Sequence, residues 1–294
     1  MTIESLEIEE VARAQFDLPG FDLHGFVAAT LAEDLGLIGD ITSAAVIPED
    51  AMFTGVMDSR DAITVAGLPI AEAFFRALDP AVEIERLVED GQQVSAGTDL
   101  MRLRGRARAL LTAERSALNT VQHLSGIATM TRGYVDRIAG TGATLLDTRK
   151  TLPGLRLLEK YATRMGGATN HRMGLWDAAM IKDNHVAVAG SVAEAARRAV
   201  AAGIARILVE VDRVDQIEPA LAAGATHLLL DNMEPAVLRG AVTLVGGRVP
   251  TEASGGVRLD TIRAIAETGV TYVSVGRLTQ SAPAADIGLD FVAI

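Results

Sequence analysis

The sequence predicts an α/β protein in which at least six parallel strands close, or nearly close, into a barrel, after a small N-terminal α+β sandwich domain. Polar residues at the ends of apolar strands recur every 21 or 22 positions, with a helical pattern in each gap. They are Glu210, Asp231, Glu252 and Ser274. Two earlier apolar runs, Thr144–Leu146 and Ala178–Ile181, also end abruptly in charge. Repeated strand–helix units of this kind wind into a barrel through right-handed crossovers.

The sandwich domain is predicted from a shorter pattern near the start of the chain. Four apolar runs are typical of strands, and a helix lies between the second and third. The strands are Phe53–Met57, Ile63–Val65, Val82–Leu87 and Leu100–Leu103, and the helix is Pro69–Leu78. Another helix is expected at Phe21–Leu35, with a turn at 36–42. We place the sandwich at residues 1–111, joined by the C-terminal segment 279–294, and the barrel at residues 112–278.

A long helix is expected from Thr112, its N-cap, to Ala139. Gly126 and Gly133 lie inside it, each at a cost of about 1 kcal/mol relative to Ala, so close packing is expected at both. Arg115 would lie in the first turn, where the helix dipole disfavours a cation unless an anion lies in front of it. The other helices are expected at residues 155–165, 191–203, 214–222, 235–242 and 260–267.

The composition excludes several classes of function. The chain of 294 residues has no cysteine, which excludes disulfides, thiolate metal sites and a cysteine nucleophile. A formal charge of -11 argues against nucleic acid as the main partner. There is no Walker A or G-x-G-x-x-G motif for a nucleoside triphosphate or dinucleotide. No early segment resembles a signal peptide and no apolar run has transmembrane length, so a cytoplasmic location is expected and no membrane partner.

The lysines point to a site between residues 145 and 185. The chain has 27 Lys and Arg residues, but only Lys150, Lys160 and Lys182 are lysines. Because an ammonium and a guanidinium are not equivalent, we expect an ammonium to be needed at Lys150 and Lys182. Chance clustering in an arginine-rich composition is the alternative. A cationic block in an acidic protein indicates a small anionic ligand.

Three further features have two interpretations each. The glycine-rich loop Ser254–Gly256 follows a late strand, and Gly276 ends the next, where backbone N–H groups often bind phosphate; turn chemistry is the alternative. Glu210 and Asp231 end consecutive strands and suit Mg²⁺, although salt bridges would explain them equally. His171 is either a ligand-binding cation or a histidine satisfied within its turn.

These residues lie in motifs that resemble the quinolinate phosphoribosyltransferase family (nicotinate-nucleotide diphosphorylase, carboxylating). The motifs are ERSALN at 114–119, SGIAT at 125–129, DTRKTLPGL at 147–155, NHR at 170–172, IKDNH at 181–185, VEVD at 209–212, LLLDN at 228–232 and EASGG at 252–256. The resemblance is dense from Leu111 to Leu289 and thinner before. It implies an incomplete α/β barrel and an enzyme that joins quinolinate to 5-phosphoribosyl-1-diphosphate with Mg²⁺. The products would be nicotinate mononucleotide, diphosphate and CO₂, in NAD synthesis.

The resemblance also implies a role for each matched residue. The quinolinate carboxylates would be held by Arg149, His171 and Arg172. Arg115 would reach into the site from the partner chain of a homodimer, or of a larger assembly of dimers.

The remaining matched residues would act on the phosphoribosyl diphosphate. Lys150 and Lys182 would contact ligand oxygens. Lys182 would also count among the substrate-binding residues. Glu210 and Asp231 would bind the ribose hydroxyls and Mg²⁺ and, with the two lysines, carry the catalysis. The 5′-phosphate would be bound by Ser254, Gly255, Gly256 and Gly276.

The sequence departs from the family pattern at two positions and leaves other functions open. Ala168 stands where a third glycine is usual, and Gln280 where histidine is usual. A paralogue of the same fold, such as the molybdenum-operon homologue, would use another acceptor. A non-catalytic binder of phosphorylated anions would need only the cationic pocket and glycine loop. An aldolase-type lyase would use Lys150 or Lys182 as a Schiff base, which requires a lowered pKa.

Overall fold

The computed structural model describes residue 16 and residues 18–291. The first residues of the predicted sandwich domain therefore lie outside the described residues, as do residues 292–294. No helix in the described part of the chain is both long and apolar enough to cross a membrane. The described chain divides into two compact units. The first runs to Met130 and also takes in Leu157–Gly166 and the residues from Ala282; the second comprises Thr131–Arg156 and Gly167–Ser281.

The first unit is built on a four-stranded antiparallel sheet. The elements up to its long helix are α1 (Leu23–Leu35), α2 (Ile41–Val46), β1 (Met52–Ser59), β2 (Ile63–Thr64), α3 (Leu68–Leu78), β3 (Glu83–Arg86), β4 (Gln93–Val94), β5 (Thr98–Arg106) and α4 (Ala107–Ile138). The last strand of the described residues, Ile287–Phe291, completes the sheet by pairing with β1, so that β1 and β5 are its central strands. The apolar face of α3 supplies buried aromatic rings, Phe74 and Phe75, to this unit's core.

The second unit contains a six-stranded parallel sheet with helices between its strands. Its elements and those that follow are β6 (Thr144–Leu146), α5 (Arg156–Met165), β7 (Ala179–Ile181), α6 (Asp183–Ala189), α7 (Val192–Ala201), β8 (Ile207–Val211), α8 (Ile217–Ala222), β9 (His227–Asp231), α9 (Pro235–Val245), β10 (Thr251–Ser254), α10 (Ile262–Ala266), β11 (Tyr272–Ser274), α11 (Arg277–Gln280) and β12 (Ile287–Phe291). By residue assignment most of α5 belongs to the first unit and β12 completes the first sheet.

The order of the strands identifies the parallel sheet as an incomplete barrel. The order is β6-β11-β10-β9-β8-β7, so the first strand of the series pairs with the last. Among the described strands β6 makes no ladder with β7, the next strand in the chain; an isolated bridge joins Leu146 to Thr169 instead. The barrel is thus open between β6 and β7, and the predicted fold class is confirmed. The central residues of β8 and β9 are apolar and buried in succession, as in parallel strands covered on both faces.

The beginning of the long helix α4 corrects one prediction from the sequence. The helix begins at Ala107, directly after β5, and not at Thr112. Thr112 is no N-cap, because its hydroxyl lies within the helix and donates to the Arg108 carbonyl. Arg115 therefore lies beyond the first turns, and the helix-dipole reason for an anion in front of it is wrong. The predicted boundary at 111 and 112 also differs from the division of the two units, which falls inside α4 at Met130.

Three short helices, α2, α6 and α11, were not predicted, because an apolar helical period is recognised over a window of about 11 or more residues. Residues 36–42 were expected to be a turn, but α2 begins at Ile41, where Asp40 accepts a hydrogen bond from Ser43 N at 2.9 Å. The helix α6 follows β7 at once, with Asp183 in its first turn and Gly190 in the left-handed conformation after its end. An acidic first turn and a terminal glycine would have predicted α6. This helix matters for the site because Lys182 is its N-cap.

Candidate active site

A cavity of about 830 Å³ opens at the carboxyl ends of the parallel strands. Eleven of the twelve residues that the sequence nominates for the site line it. They are Arg149, Lys150, His171, Arg172, Lys182, Glu210, Asp231, Ser254, Gly255, Gly256 and Gly276. The twelfth, Arg115, is an exposed residue of α4 and does not line this cavity. Lys160 is fully buried within α5, in the first unit, so only two of the three lysines lie at the cavity.

Asp147, at the end of β6, fixes the loop that carries His171 and Arg172. Its buried carboxylate accepts a hydrogen bond from Asn170 Nδ2 at 2.6 Å and another from His171 N at 2.8 Å. The backbone of the loop is also tied to β6, because Thr169 N donates to the Leu145 carbonyl at 2.9 Å. The loop is therefore held in place without any ligand.

Arg149 and Arg172 bring two positive charges close together. Arg172 Nη1 donates to the Ala178 carbonyl at 3.2 Å, which fixes the direction of its side chain. Burial, and then the positive charge of Arg149, lower the pKa of Arg172, which nevertheless stays a cation. Arg149 Nε is buried and has no hydrogen-bond partner within the described part of the chain. Two adjacent guanidinium groups with unused donors are well suited to a ligand that carries more than one carboxylate.

The two lysines at the cavity are placed by different elements. Lys182 is the N-cap of α6; its backbone N–H donates to His185 Nδ1 at 3.0 Å, and its Nζ lies 2.5 Å from Glu210 Oε2. The side chain of Lys150 packs against Gly276, and a Cβ added at Gly276 would lie 2.7 Å from Lys150 Cδ. The Lys150 carbonyl accepts a hydrogen bond from Thr279 Oγ1 at 2.7 Å. Gly276 thus leaves room for a lysine side chain, which the sequence could not indicate.

Glu210 and Asp231 lie near the carboxyl ends of adjacent strands, β8 and β9, as expected. Glu210 forms an ion pair with Lys182, so the salt-bridge interpretation applies to Glu210. Asp231 Oδ2 accepts a hydrogen bond from Asn232 Nδ2 at 2.6 Å. The described residues contain no group of three or more His, Asp or Glu side chains that could hold a metal by itself. Proteins often hold Mg²⁺ with one or two carboxylates while substrate phosphates supply further ligands, so Glu210 and Asp231 fit that ion.

The glycine loop after β10 is built against Asn232. Gly255 has a φ of 88°, and a Cβ there would lie 2.2 Å from Asn232 Oδ1 and 2.9 Å from its backbone N. Gly256 follows with a φ of 60°. Asn232 has a φ of 53°, the only positive φ of a non-glycine residue in the described chain, and its N–H donates to the Ser254 carbonyl. Two consecutive left-handed glycines leave the loop backbone open to a phosphate at close range.

Glu252 is the site residue that the sequence located but gave no function. It lines the cavity and is fully buried. Its Oε2 lies 3.2 Å from His171 Nε2 and 2.9 Å from His227 Nε2, which belongs to the first residue of β9. Burial alone would raise the pKa of Glu252, but the contacts with His171, His227 and Ser274 outweigh it and hold the pKa well below the usual value. The available signal was a charged residue inside a strand that is predicted to be buried, because buried charges need partners.

The two departures from the family pattern lie in different surroundings. Ala168 is buried and lacks the positive φ that would require glycine, so alanine fits its backbone. Gln280, in the short helix α11, lines the cavity. The amide at this position adds no charge to the site. Thr148, Asn232, Arg258, Ser274 and Arg277 also line the cavity and had no predicted role.

The incomplete barrel and its cavity define an α/β-barrel protein with arginine and lysine side chains around a cavity at the carboxyl ends of its strands. Residues 127–290 match the family model of the quinolinate phosphoribosyl transferase C-terminal domain, and residues 40–125 match that of its N-terminal domain. These matches span most of the chain. The chain belongs to the quinolinate phosphoribosyltransferase family.

Individual relatives are similar over nearly the whole chain. The nicotinate-nucleotide pyrophosphorylase [carboxylating] of Mycobacterium leprae (strain TN) is 44% identical, over 90% of this chain and 95% of the relative. A quinolinate phosphoribosyltransferase [decarboxylating] of Nicotiana tabacum is 40% identical, over 92% of this chain and 83% of the relative. The crystal structure of NadC from Streptococcus pyogenes superimposes with a TM-score of 0.89 at 38% identity. The match covers 95% of this chain and 100% of that chain.

Proposed function

We propose that this enzyme transfers the phosphoribosyl group of 5-phosphoribosyl-1-diphosphate to quinolinate, with loss of CO₂, to give nicotinate mononucleotide and diphosphate for NAD biosynthesis. The relatives named above carry this activity in their names. The observation that carries the proposal is one cavity with two kinds of anion site, the pair Arg149 and Arg172 and the glycine loop Ser254–Gly256. A pyridine dicarboxylate and a sugar phosphate match these two sites.

The charged side chains of the cavity bind and orient the two substrates. Arg149 and Arg172 take the quinolinate carboxylates, with His171 beside them. The backbone N–H groups of Gly255 and Gly256 bind the 5′-phosphate, with Ser254 and Gly276 beside them. Lys150 and Lys182 supply point charges for the oxygens between these sites. Binding both substrates in one orientation converts a bimolecular reaction into a unimolecular one, which is a large source of rate.

The bond changes follow from this arrangement. The bond from ribose C1 to the diphosphate breaks, and the leaving group takes the electron pair while Lys150 and Lys182 stabilise its charge. The pyridine nitrogen forms the new bond to the electron-poor C1. The quaternised ring then accepts the electron pair of the adjacent C–CO₂⁻ bond, and CO₂ leaves. A proton from solvent replaces it on the ring carbon. No residue is required as a general base, so positioning and charge stabilisation by the side chains carry the catalysis.

The donor set of Glu210 and Asp231 supports a Mg²⁺ site that is completed by substrate oxygens. When bound, Mg²⁺ would neutralise charge on the diphosphate. Exchange of both residues for their amides, Glu210→Gln with Asp231→Asn, should raise the Mg²⁺ concentration needed for half-maximal rate. Turnover that persists unchanged in excess chelator would exclude the metal.

Acceptor choice tests the proposed function. The purified protein is mixed with 5-phosphoribosyl-1-diphosphate, Mg²⁺ and either quinolinate or nicotinate, and the mononucleotide and CO₂ are measured. Because Arg149 and Arg172 suit two carboxylates, quinolinate should be used far better than nicotinate. Equal use of both would contradict the role of the arginine pair. Turnover of neither would contradict the function.

Two further expectations belong to this proposal. We propose that the enzyme is a homodimer, or a larger assembly of dimers, in which Arg115 of one chain completes the cavity of its partner. The exposed position of Arg115 is compatible with this role. A cytoplasmic location stays a prediction, since names of relatives include mitochondrial and chloroplastic forms.

A further inference from the structure

A buried carboxylate in the barrel lies between two imidazole rings. Glu252 is completely buried, and its Oε2 is within 3.2 Å of His171 Nε2 and 2.9 Å of His227 Nε2. His171 belongs to the loop at the cavity, whereas His227 begins β9 at the opposite ends of the strands. The proposed reaction assigns no task to Glu252 or to His227.

The hydrogen bonds of His171 fix the position of its proton. Arg172 N donates to His171 Nδ1 at 2.6 Å, and a ring nitrogen that accepts a hydrogen bond carries no proton. In the neutral ring the proton is then on Nε2, which donates it to Glu252 Oε2. A carboxylate that accepts from one ring nitrogen sets the tautomer and orientation of the whole imidazole, as it does for metal-binding histidines.

The same contacts hold Arg172. The backbone N–H of Arg172 donates a hydrogen bond to His171 Nδ1, and the backbone N–H of His171 donates one to Asp147 Oδ1 at 2.8 Å. The loop is thus anchored by two fully buried carboxylates, Asp147 and Glu252. The anchoring opposes the repulsion between Arg172 and Arg149, so the guanidinium stays where a ligand carboxylate can bind.

His227 supports Glu252 from the other side. Its ring stacks on Tyr272, with centroids 5.5 Å apart and an angle of 8° between the planes. Both residues border a second cavity of about 370 Å³, which extends from the amino ends of β8 to β11 as far as His171. His227 Nε2 lies 2.9 Å from Glu252 Oε2, a close contact that does not have hydrogen-bond geometry.

We propose that Glu252 is a positioning residue for quinolinate, which holds His171 in its Nε2-protonated form and through it holds Arg172 in place, with His227 as its support. This inference rests on the proposed function, but the tautomer of His171 can be measured without any turnover.

The first test is made on the unaltered protein. Nitrogen-15 NMR of protein labelled at histidine should show, near neutral pH, a protonated Nε2 and an unprotonated Nδ1 for His171. The signal is assigned by its loss in His171→Gln, since the chain has five histidines. A His171 ring protonated at Nδ1 would overturn the proposal, whatever the enzyme turns out to catalyse.

The second test uses Glu252→Met, which keeps the length of the side chain and removes the acceptor. His171 Nε2 should lose its hydrogen-bond acceptor, so the ring is no longer held from that side. KM for quinolinate should then rise about tenfold to a hundredfold, the usual effect of losing such a supporting partner. KM for 5-phosphoribosyl-1-diphosphate should not change. Glu252→Gln retains an acceptor oxygen and should recover most of the affinity for quinolinate.

A matched control separates positioning from the general cost of losing a buried carboxylate. Glu159 is also fully buried and lies 2.9 Å from a histidine, His123 Nε2, but neither lines the cavity. Glu159→Met should lower thermal stability and leave KM for quinolinate unchanged. If Glu252→Met behaves in the same way, with only its stability reduced, Glu252 is structural and the proposal is wrong. If Glu252→Met is too unstable to assay, the spectrum of the unaltered protein decides alone.

Discussion

Lys182 unites several features of the site in a single residue. Its backbone begins α6, its Nζ pairs with Glu210, and it lines the cavity. The sequence singled it out because lysine is rare in this chain, but the ion pair with Glu210 was visible only as a general alternative. The partner of a strand-end residue depends on which strands are neighbours, and that depends on the closure of the sheet.

Replacement of Lys182 should separate its charge from its shape. We expect Lys182→Ala to lower kcat/KM by about 100-fold, the effect of removing one preorganised group that stabilises developing charge. Lys182→Arg should recover only part of this loss, because the planar guanidinium is not a point charge. Steady-state rates are measured beside Arg213→Ala, which removes an exposed ion pair with Asp215 and should have no effect. Full activity of the arginine variant would show that the scarcity of lysine is only composition.

Gly255 allows a test of the glycine loop with a close control. Gly255→Ala and Gly247→Ala both place a Cβ at positive φ, which costs about 1–2 kcal/mol. Only at Gly255 does the new Cβ also meet Asn232, at 2.2 Å, whereas Gly247 has no atom within 4 Å.

Because the loop must shift, Gly255→Ala should raise KM for 5-phosphoribosyl-1-diphosphate by at least about tenfold, that is 1.4 kcal/mol. Gly247→Ala should lose stability without this effect. Equal KM values for 5-phosphoribosyl-1-diphosphate in the two variants would show that the loop does not bind the phosphate.

The residues of the site were predictable to the extent that they end strands or belong to recognisable motifs. Glu210, Asp231 and the glycine loop follow from the spacing of the barrel units. The function of Glu252 was not predictable, because its two histidines come from a loop and from the far end of another strand. Only the pairing of β9 with β10 places His227 beside it.

At the scale of the elements, patterns of apolar residues predicted most strands and helices, and boundaries were the main errors. The helix α4 begins five residues early because β5 continues into it without a turn, and no cap marks the junction. The strand β12 was not predicted, although 279–294 was assigned to the sandwich. Its partner β1 lies near the other end of the chain, and such long-range pairing leaves no local signal.

Gly126 and Gly133 in α4 have different reasons for being glycine. A Cβ at Gly126 would lie 2.0 Å from the Pro283 carbonyl oxygen, whereas at Gly133 the nearest atom is Leu259 Cδ1 at 4.0 Å. The expected close packing is therefore confirmed at Gly126 and wrong at Gly133.

Alanine at these two positions should have opposite effects on the free energy of unfolding. Gly126→Ala forces the backbone at Pro283 to move and should cost about 1–3 kcal/mol. Gly133→Ala gains helix propensity and should stabilise by up to about 1 kcal/mol. Urea unfolding followed by circular dichroism measures both. A stable Gly126→Ala variant would mean that residues 282–285 can leave α4 at little cost.

At the scale of the whole molecule, the shared site predicted from the family resemblance can be tested by mixing variants. Arg115→Ala and Lys182→Ala homodimers should each be nearly inactive. After dissociation and reassociation, random pairing makes about half of the dimers hybrids, each with one intact site and one doubly altered site. Activity should then recover to roughly a quarter of the unaltered enzyme by this counting. Subunit exchange is confirmed independently by mass spectrometry. If activity does not recover, Arg115 acts in the site of its own chain or has only a structural role.

The two compact units are interleaved along the chain, and this has a consequence for folding during synthesis. The sheet of the first unit is complete only when β12 pairs with β1, after every strand of the barrel has been made. Such distant pairing is slow to form, because the intervening chain must first be closed into a loop. Until then β1 is an open edge, which can pair with the same strand of another copy. A ribosome that stalls within the barrel would therefore release a chain prone to aggregation through its first sheet, even if its barrel strands were already in place.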